Sequence, residues 1–265
     1  MTPYRKAPMQ ILLPPSETKR EGGFGSLDDS LLFAQGELEA ARATVRAALE
    51  ELCAPNADED AAVKSLKLGV KNRGELLRNR DLGESGVMAA LDRYTGVLYD
   101  ALDSSTLGLD GRVWAGSHVQ IQSALFGRVR ALDPIPAYRL SASSKLPALG
   151  APLKRVWGAA HAVLPPCGTF TLDLRSKDYA ALAPLRDGEG YALHVAQRGA
   201  DGETRALNHF NKAAKGDLVR RLALRGREIF SVDDLISWAR SEGLELEFQG
   251  GTLTLVTEIG ASARV

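Results

Sequence analysis

Residues 11–20 read ILLPPSETKR. Three apolar residues give way to two prolines, and then to two hydroxyls, an acid and two bases in close succession. A Pro-Pro step carries a chain out of a strand in an extended path. Ser16 to Arg20 are therefore delivered beyond the end of a buried strand, where α/β proteins often place their sites. Ser16 or Thr18 can hydrogen-bond an anion, and Lys19 and Arg20 can neutralise it. A lysine within reach of a serine can also act as a base. The plain alternative is a solvated loop with a few turn hydroxyls.

Two further stretches concentrate positive charge. Residues 63–80, VKSLKLGVKNRGELLRNR, set Lys64, Lys67, Lys71, Arg73, Arg78 and Arg80 against the single Glu75. The pattern is helix, a short turn at Leu68-Gly69-Val70, and a second helix: the shape of a helix-hairpin-helix. Such a hairpin turns free backbone N–H groups toward a phosphate, which suits backbone contact without base reading. Residues 204–227 set Arg205, Lys212, Lys215, Arg220, Arg221, Arg225 and Arg227 against Asp217. Lys212 and Lys215, three apart, can share a helix face, and Gly216 lets another backbone come close. Solvated helix faces are the plain alternative for both, but clustering is notable in a chain of 33 basic and 33 acidic residues.

A fourth group combines Tyr94 and Tyr99 with Arg128, Arg130 and Arg139. Tyr94 and Tyr99, five apart, are expected on different sides of one helix. Two arginines can clamp a carboxylate or phosphate. A buried arginine paired with Asp133 is the structural alternative.

The elements that must hold these residues follow from periodicity. Gln10–Leu13 reads as a buried strand, 27–51 as mostly helix, and Asp58 as the cap of a helix over 59–67. A short helix is expected over 72–79 and another over 85–100, bent at Gly96. Residues 113–117 read as strand or loop and 118–125 as helix; the prolines exclude regular structure over 130–140. Helices are expected over 153–164, 211–225 and, capped by Ser231, up to Arg240. A strand with Phe170, Leu172 and Leu174 on one face, a hairpin around 199–203 and a hairpin turning at Gly250-Gly251 complete the reading. The fold class expected is α+β: a mixed sheet surrounded by helices, in one domain over 9–265, with residues 1–8 a disordered extension.

At 265 residues, 45% hydrophobic and 25% charged, the composition is that of a globular protein. Neither an apolar run long enough to span a bilayer nor a signal-peptide core is present, so a cytoplasmic location without membrane partners is expected. Cys53 and Cys167 and the four histidines, His118, His161, His194 and His209, lack metal-ligand spacing, and no nucleotide-cofactor fingerprint is found. No metal and no cofactor are expected.

In order along the chain, these stretches resemble the YaaA peroxide-stress protein family. Pro14-Pro15-Ser16-Glu17-Thr18-Lys19 matches one branch of the family's opening segment, and Tyr94-Thr95-Gly96 its Y-T-G element. Leu125 to Leu140 resembles its L-Y-G-x-L-R-P-L-D block with the closing P-Y-R-L. Val156-Trp157-Gly158, Leu174 to Tyr179, and Lys212, Ala214, Lys215, Gly216 and Arg220 match three more. Departures are Arg130-Ala131 for Arg-Pro, Ala137 before Tyr138 where the family has Pro, Lys215 for Arg, and Ser141-Ala142-Ser143 for the glycine-bearing end. The resemblance implies a family-specific single-domain fold with a helix-hairpin-helix at Lys64–Arg80, a basic cleft binding duplex or branched DNA without strong sequence preference, and a role in tolerating peroxide.

The first functional reading is thus a DNA-associated stress protein. Its expected DNA- or anion-binding residues are Lys19, Lys67, Gly69, Lys71, Arg73, Arg128, Arg139, Lys212, Lys215 and Arg220. The rival is an enzyme acting on a small anionic or nucleotide-like substrate, with Ser16, Lys19, Tyr94 and Arg139 as candidate catalytic residues.

Overall fold

The computed structural model describes residues 8–165, 170–198, 204–206 and 210–258. Cys167, His209, the hairpin tip 199–203 and most of the N-terminal extension lie outside the described residues. In chain order the first half carries β1 (Gln10–Leu13), α1 (Gln35–Cys53), α2 (Glu59–Ser65), α3 (Leu76–Arg80), β2 (Met88–Ala89), α4 (Ala90–Arg93), α5 (Val97–Leu102), α6 (Leu109–His118), β3 (Val119–Ser123), β4 (Gly127–Arg130) and β5 (Pro134–Ile135). The second half carries α7 (Leu153–Ala162), β6 (Thr171–Asp173), α8 (Lys177–Ala180), β7 (Gly190–Arg198), β8 (Thr204–Ala206), α9 (Phe210–Arg225), α10 (Val232–Ser241), β9 (Glu245–Gln249) and β10 (Thr252–Glu258).

The main sheet runs β4-β3-β1-β6-β7-β10-β9, with β8 paired to β7; β2 and β5 form a second, small sheet. The pairs β1–β3, β1–β6, β6–β7 and β7–β10 are parallel, and β4, β8 and β9 join antiparallel. This is the expected α+β class with a mixed sheet. The register puts Ile11 beside Val119 and Leu172, and Leu12 beside Gln120 and Asp173. Strand residues alternate faces, so one side is apolar and the other carries polar side chains. Because β3, β1 and β6 are parallel neighbours, their carboxyl ends fall together.

Local chemistry explains most boundaries. The Asp58 carboxylate accepts from Ala61 N at 3.1 Å and opens α2; Ser231 accepts from Asp234 N at 3.1 Å and opens α10. Both satisfy amides that the first helical turn leaves unpaired. Along α1, Leu38, Val45 and Leu49 recur at helical spacing and are buried, whereas Pro55 stops the helix. Among the described residues, no helix is long and apolar enough to cross a membrane.

Five expectations change. Residues 113–117 belong to α6, and 119–123 form β3 instead of a helix. V-Q-I-Q-S alternates with period two, and every residue of it is buried between β1 and β4. The single helix expected over 85–100 is divided: Gly96 adopts φ 94°, outside the helical region, so α4 ends at Arg93 and α5 starts at Val97. Pro134 and Ile135, in the stretch expected to lack regular structure, pair with Met88 and Ala89. In the expected helix-hairpin-helix, the left-handed residue is Lys67 (φ 56°), while Gly69 is extended at φ −75°. A 3-10 run, Val70–Glu75, replaces the first turns of the second helix. Gly69, Asn72 and Gly74 are poor helix formers, which favours that tighter, shorter path.

The expected close approach at Gly216 is present. A Cβ there would lie 2.1 Å from Leu98 O and 3.0 Å from Ala101 Cβ, where α9 crosses α5. Gly216→Ala overpacks that crossing and is expected to cost about 1–3 kcal/mol. Urea denaturation measures it; an unchanged midpoint would show that the two helices are not in tight contact.

Candidate functional site

Beyond Leu13 the chain turns across the carboxyl ends of the parallel strands. The Tyr99 hydroxyl donates to Pro14 O at 2.7 Å, fixing the first proline over α5. Residues 18–20 then run beside 93–95: Thr95 N donates to Thr18 O at 3.3 Å, Arg20 N donates to Arg93 O at 2.8 Å, and Lys19 bridges Tyr94. Arg93, fully buried, donates to four carbonyls: Arg20 O (2.6 Å), Gly22 O (3.0 Å), Gly86 O (2.7 Å) and Ile135 O (3.1 Å). One guanidinium thus ties this segment to the body of the protein, four of its five donors matched to fixed acceptors.

That path turns the Lys19 side chain inward, leaving it 6% exposed. Its Nζ donates to Ser16 O at 2.9 Å and Glu17 O at 3.3 Å, and lies 4.1 Å from the centroid of the Tyr138 ring and 5.3 Å from that of Tyr94. The carbonyls and the ring face favour the ammonium. Burial and then the charge of Arg139 oppose it more strongly and push the amine down to about 7, against partial support from Glu75. Near neutral pH this lysine is divided between its two forms.

Arg139 is 7% exposed and is held by its backbone: Asn79 donates through Nδ2 to Arg139 O at 2.8 Å and accepts from Arg139 N at 2.7 Å. Its guanidinium meets two carboxylates. Glu17, on a 62% exposed side chain, accepts from NH2 at 2.7 Å; Glu75, 18% exposed, forms a 3.2 Å ion pair without hydrogen-bond alignment. Lys19 and Arg139 therefore converge on one segment, with the Glu17 backbone holding the first and its carboxylate the second.

A chain of hydroxyls runs below. Tyr94 and Tyr138 oxygens lie 2.8 Å apart, and Tyr138 and Ser123 oxygens 2.7 Å apart. Ser123, the last residue of β3, already accepts from Leu125 N and Phe126 N at 3.0 Å each. With both lone pairs used, it donates to Tyr138. Three hydroxyl hydrogens serve two oxygen–oxygen links, so one phenolic hydrogen is left over. Burial pushes the phenols of Tyr94, Tyr99 and Tyr138 well above the usual range. Tyr94 and Tyr99 do not diverge as expected: the break at Gly96 brings their rings to 5.3 Å.

The remaining predicted residues divide. Ser16 Oγ contacts Thr18 Oγ1 at 3.2 Å, at the exposed rim, where Thr95 Oγ1 also donates to Thr18 Oγ1 at 3.0 Å. Lys215 is buried on the end of β6, donating to Leu174 O at 3.1 Å, and burial lowers its pKa. Lys212, on the same helix, is exposed, so the two do not share an environment. Arg220 donates to Leu102 O (3.1 Å) and Asp103 O (3.0 Å), holding the last carbonyls of α5. Arg128 is buried in β4 with its charge acting on His161, which burial first and Arg128 second push down to about 3. Arg73 pairs with Asp60 at 2.6 Å and Glu59 at 3.3 Å, so acids of α2 neutralise part of the charge the hairpin carries in sequence. Lys67, Gly69 and Lys71 are exposed.

The sequence reading missed Ser123, Glu75, Asn79 and Tyr179. The Tyr179 phenol, pushed up to about 12 by burial, feels both Glu17 and Arg139. Glu75 and Asn79 lie within the charged stretch 63–80, and Tyr179 ends the stretch Leu174–Tyr179, but nothing in those stretches marks them as site residues. Ser123 stands in none of them and has only its position as the terminus of a parallel strand, a signal that exists once β3 is identified.

Relatives with this arrangement of sequence are found among curated bacterial proteins. A UPF0246 protein of Corynebacterium glutamicum is 40% identical over 255 residues, covering 94% of this chain and all of its own. One from Streptomyces coelicolor is 42% identical over 244 residues, covering 90% of this chain and 92% of its own. One from Lactobacillus delbrueckii is 33% identical over 146 residues, 54% of this chain and 60% of its own. The family model described as "Peroxide stress protein YaaA" matches residues 9–249, which takes in β1, the Lys19 segment, Arg139 and both charged helical stretches. The chain belongs to the YaaA peroxide-stress protein family.

Proposed function

We propose that, within its peroxide-stress family, this protein acts as an enzyme on a small anionic, nucleotide-like substrate. Arg139 holds the anion, and Lys19 works as an amine that is partly uncharged at neutral pH. What carries the reading is the convergence of Lys19 and Arg139 on the Glu17 segment, across the carboxyl ends of neighbouring parallel strands. Two buried cations side by side are costly unless carboxylates or an anionic ligand offset them. Isothermal titration with AMP, ADP and pyrophosphate tests the site. At least one is expected to bind, Arg139→Gln to weaken it roughly tenfold or more, and mass spectrometry to find conversion by the wild type and none by Lys19→Met. Failure of all three to bind, or equal binding by Arg139→Gln, defeats the reading.

One observation favours a second reading, contact with duplex or branched DNA. Lys64, Lys67, Lys71 and Lys212 are exposed and, among the described residues, have no ion-pair partner. Exposed lysines attract phosphates and release counterions, so affinity would fall steeply between about 50 and 200 mM salt. Gel-shift titration at those two salt concentrations is the check, with Lys67→Ala/Lys71→Ala expected to weaken all DNA sequences alike. No shift at the lower salt removes this reading and leaves the first standing.

A further inference from the structure

We propose that Lys19 forms an imine with an aldehyde or ketone that carries a phosphate or carboxylate group, the anion taking the place on Arg139 that the Glu17 carboxylate now holds. The inference rests on the anion-site reading above and adds the chemistry and the substrate class.

Three features of the site support it. The first is the seat of the anion. Arg139 is fixed through its backbone by Asn79 and backed by the half-buried Glu75, while Glu17 reaches it from the rim on a 62% exposed side chain. Glu17 is thus an internal carboxylate bound as an external one would be, and it is the partner free to leave. The second is the amine. Lys19 Nζ is enclosed by aromatic faces and held by two carbonyls of the same short segment, Ser16 O and Glu17 O. The Glu17 backbone carbonyl holds the amine while its side-chain carboxylate occupies Arg139, so the carboxylate can swing off the anion seat and leave the amine in place beside it. The lowered pKa supplies the uncharged form near neutral pH, which a nucleophilic lysine requires. The third is a proton source. The Ser123–Tyr138–Tyr94 chain has one phenolic hydrogen to spare, on one of the two tyrosines whose rings the amine faces.

The step balances. The Nζ lone pair forms the N–C bond as the carbonyl π electrons move to oxygen, and one of the two amine hydrogens passes to that oxygen to give a carbinolamine. That hydroxyl leaves as water by taking the spare phenolic hydrogen while the same phenol takes the nitrogen's remaining hydrogen, and the nitrogen lone pair closes the C=N bond. The phenol is a relay, and no phenolate accumulates where burial disfavours one. Amine and carbonyl give imine and water, with no oxidant or reductant.

Pyridoxal 5′-phosphate, an aldehyde with a phosphate, is the probe, and pyridoxal, which lacks it, is the control. Each is incubated with the full chain, reduced with borohydride, and the adduct located by peptide mass mapping. The expected result is an adduct on Lys19 with the phosphate-bearing probe, roughly tenfold or more weaker with pyridoxal. Glu17→Gln should speed labelling by freeing Arg139, and Arg139→Gln should erase the preference for the phosphate. The yield at Lys19 should rise through a midpoint near pH 7, unlike that at exposed lysines. An adduct confined to exposed positions such as Lys67, Lys71 and Lys212, or equal labelling of Lys19 by both aldehydes, overturns the proposal. If nucleotides still bind through Arg139 while Lys19 stays unlabelled, the imine alone is lost; if neither occurs, both readings go.

Discussion

Lys19→Met is expected to be more stable than the wild type at pH 6, and the difference is expected to shrink as the pH is raised. The unfolded lysine titrates near 10.5 and the folded one at about 7. Below 7 both states carry the proton, and the full cost of a buried ammonium beside Arg139 is present. Between 7 and 10.5 the folded lysine is neutral while the unfolded one is charged. The unfolded state then binds more protons, so stability rises with pH across that window and levels off above it. At about 1.36 kcal/mol per pH unit, the full effect is of order 5 kcal/mol. The Ser16 and Glu17 carbonyls and the Tyr138 face act against it, so the measured difference falls below that figure. Chemical denaturation of both proteins from pH 6 to pH 10 gives the answer. A constant gap between them would show that Lys19 keeps its proton throughout, and the imine chemistry would lose its amine.

Arg93→Met should give the largest loss of stability of any single substitution at the site, about 3–5 kcal/mol. Four carbonyls, from residues 20, 22, 86 and 135, lose their donor at once, and the replacement cannot hydrogen-bond. A buried acceptor without a partner bears its whole desolvation penalty. Because Arg20 O and Gly22 O lie just beyond Lys19, the same change should release the segment that turns Lys19 inward. Hydrogen exchange at residues 18–24 should therefore rise more than exchange in β1. A small destabilisation with unchanged exchange would mean that the segment is held by Tyr94 and Thr95 alone, through the backbone bonds they share with it.

Arginines and lysines divide the work in this protein in a way that charge counts do not reveal. Arg42 and Arg93 are structural: Arg42 donates to Phe33 O (2.6 Å), Phe126 O (2.9 Å), Arg128 O (3.0 Å) and Gln35 Oε1 (2.8 Å). Asp133, expected as an arginine's partner, accepts from the backbone of Phe33 at 2.7 Å and Arg130 at 2.9 Å; burial raises its pKa, opposed by these bonds and by the charges of Arg130 and then Arg42. Arg220 closes a helix end. Lys19 and Arg139 alone among the predicted cations are both buried and brought to a shared carboxylate-bearing segment. The clusters that stood out along the chain supply packing and surface charge; the chemical candidates come from positions 120 residues apart.

The sequence by itself determined the direction in which Ser16–Arg20 leave β1, because two prolines admit few paths. It also determined the capped starts of α2 and α10, the tolerance for close packing at Gly216, and the α+β class, because capping, ring geometry and the absence of a Cβ act within a few residues. Tertiary structure decided the rest. The strand at 119–123 exists because β1 and β4 lie on either side of it. Arg73 lost its apparent freedom to acids of another helix, and Tyr94 and Tyr99 came together when Gly96 broke the helix between them. Whether a lysine is a surface charge or a half-neutral amine depends on burial and on neighbours such as Arg139, which the order of residues does not contain.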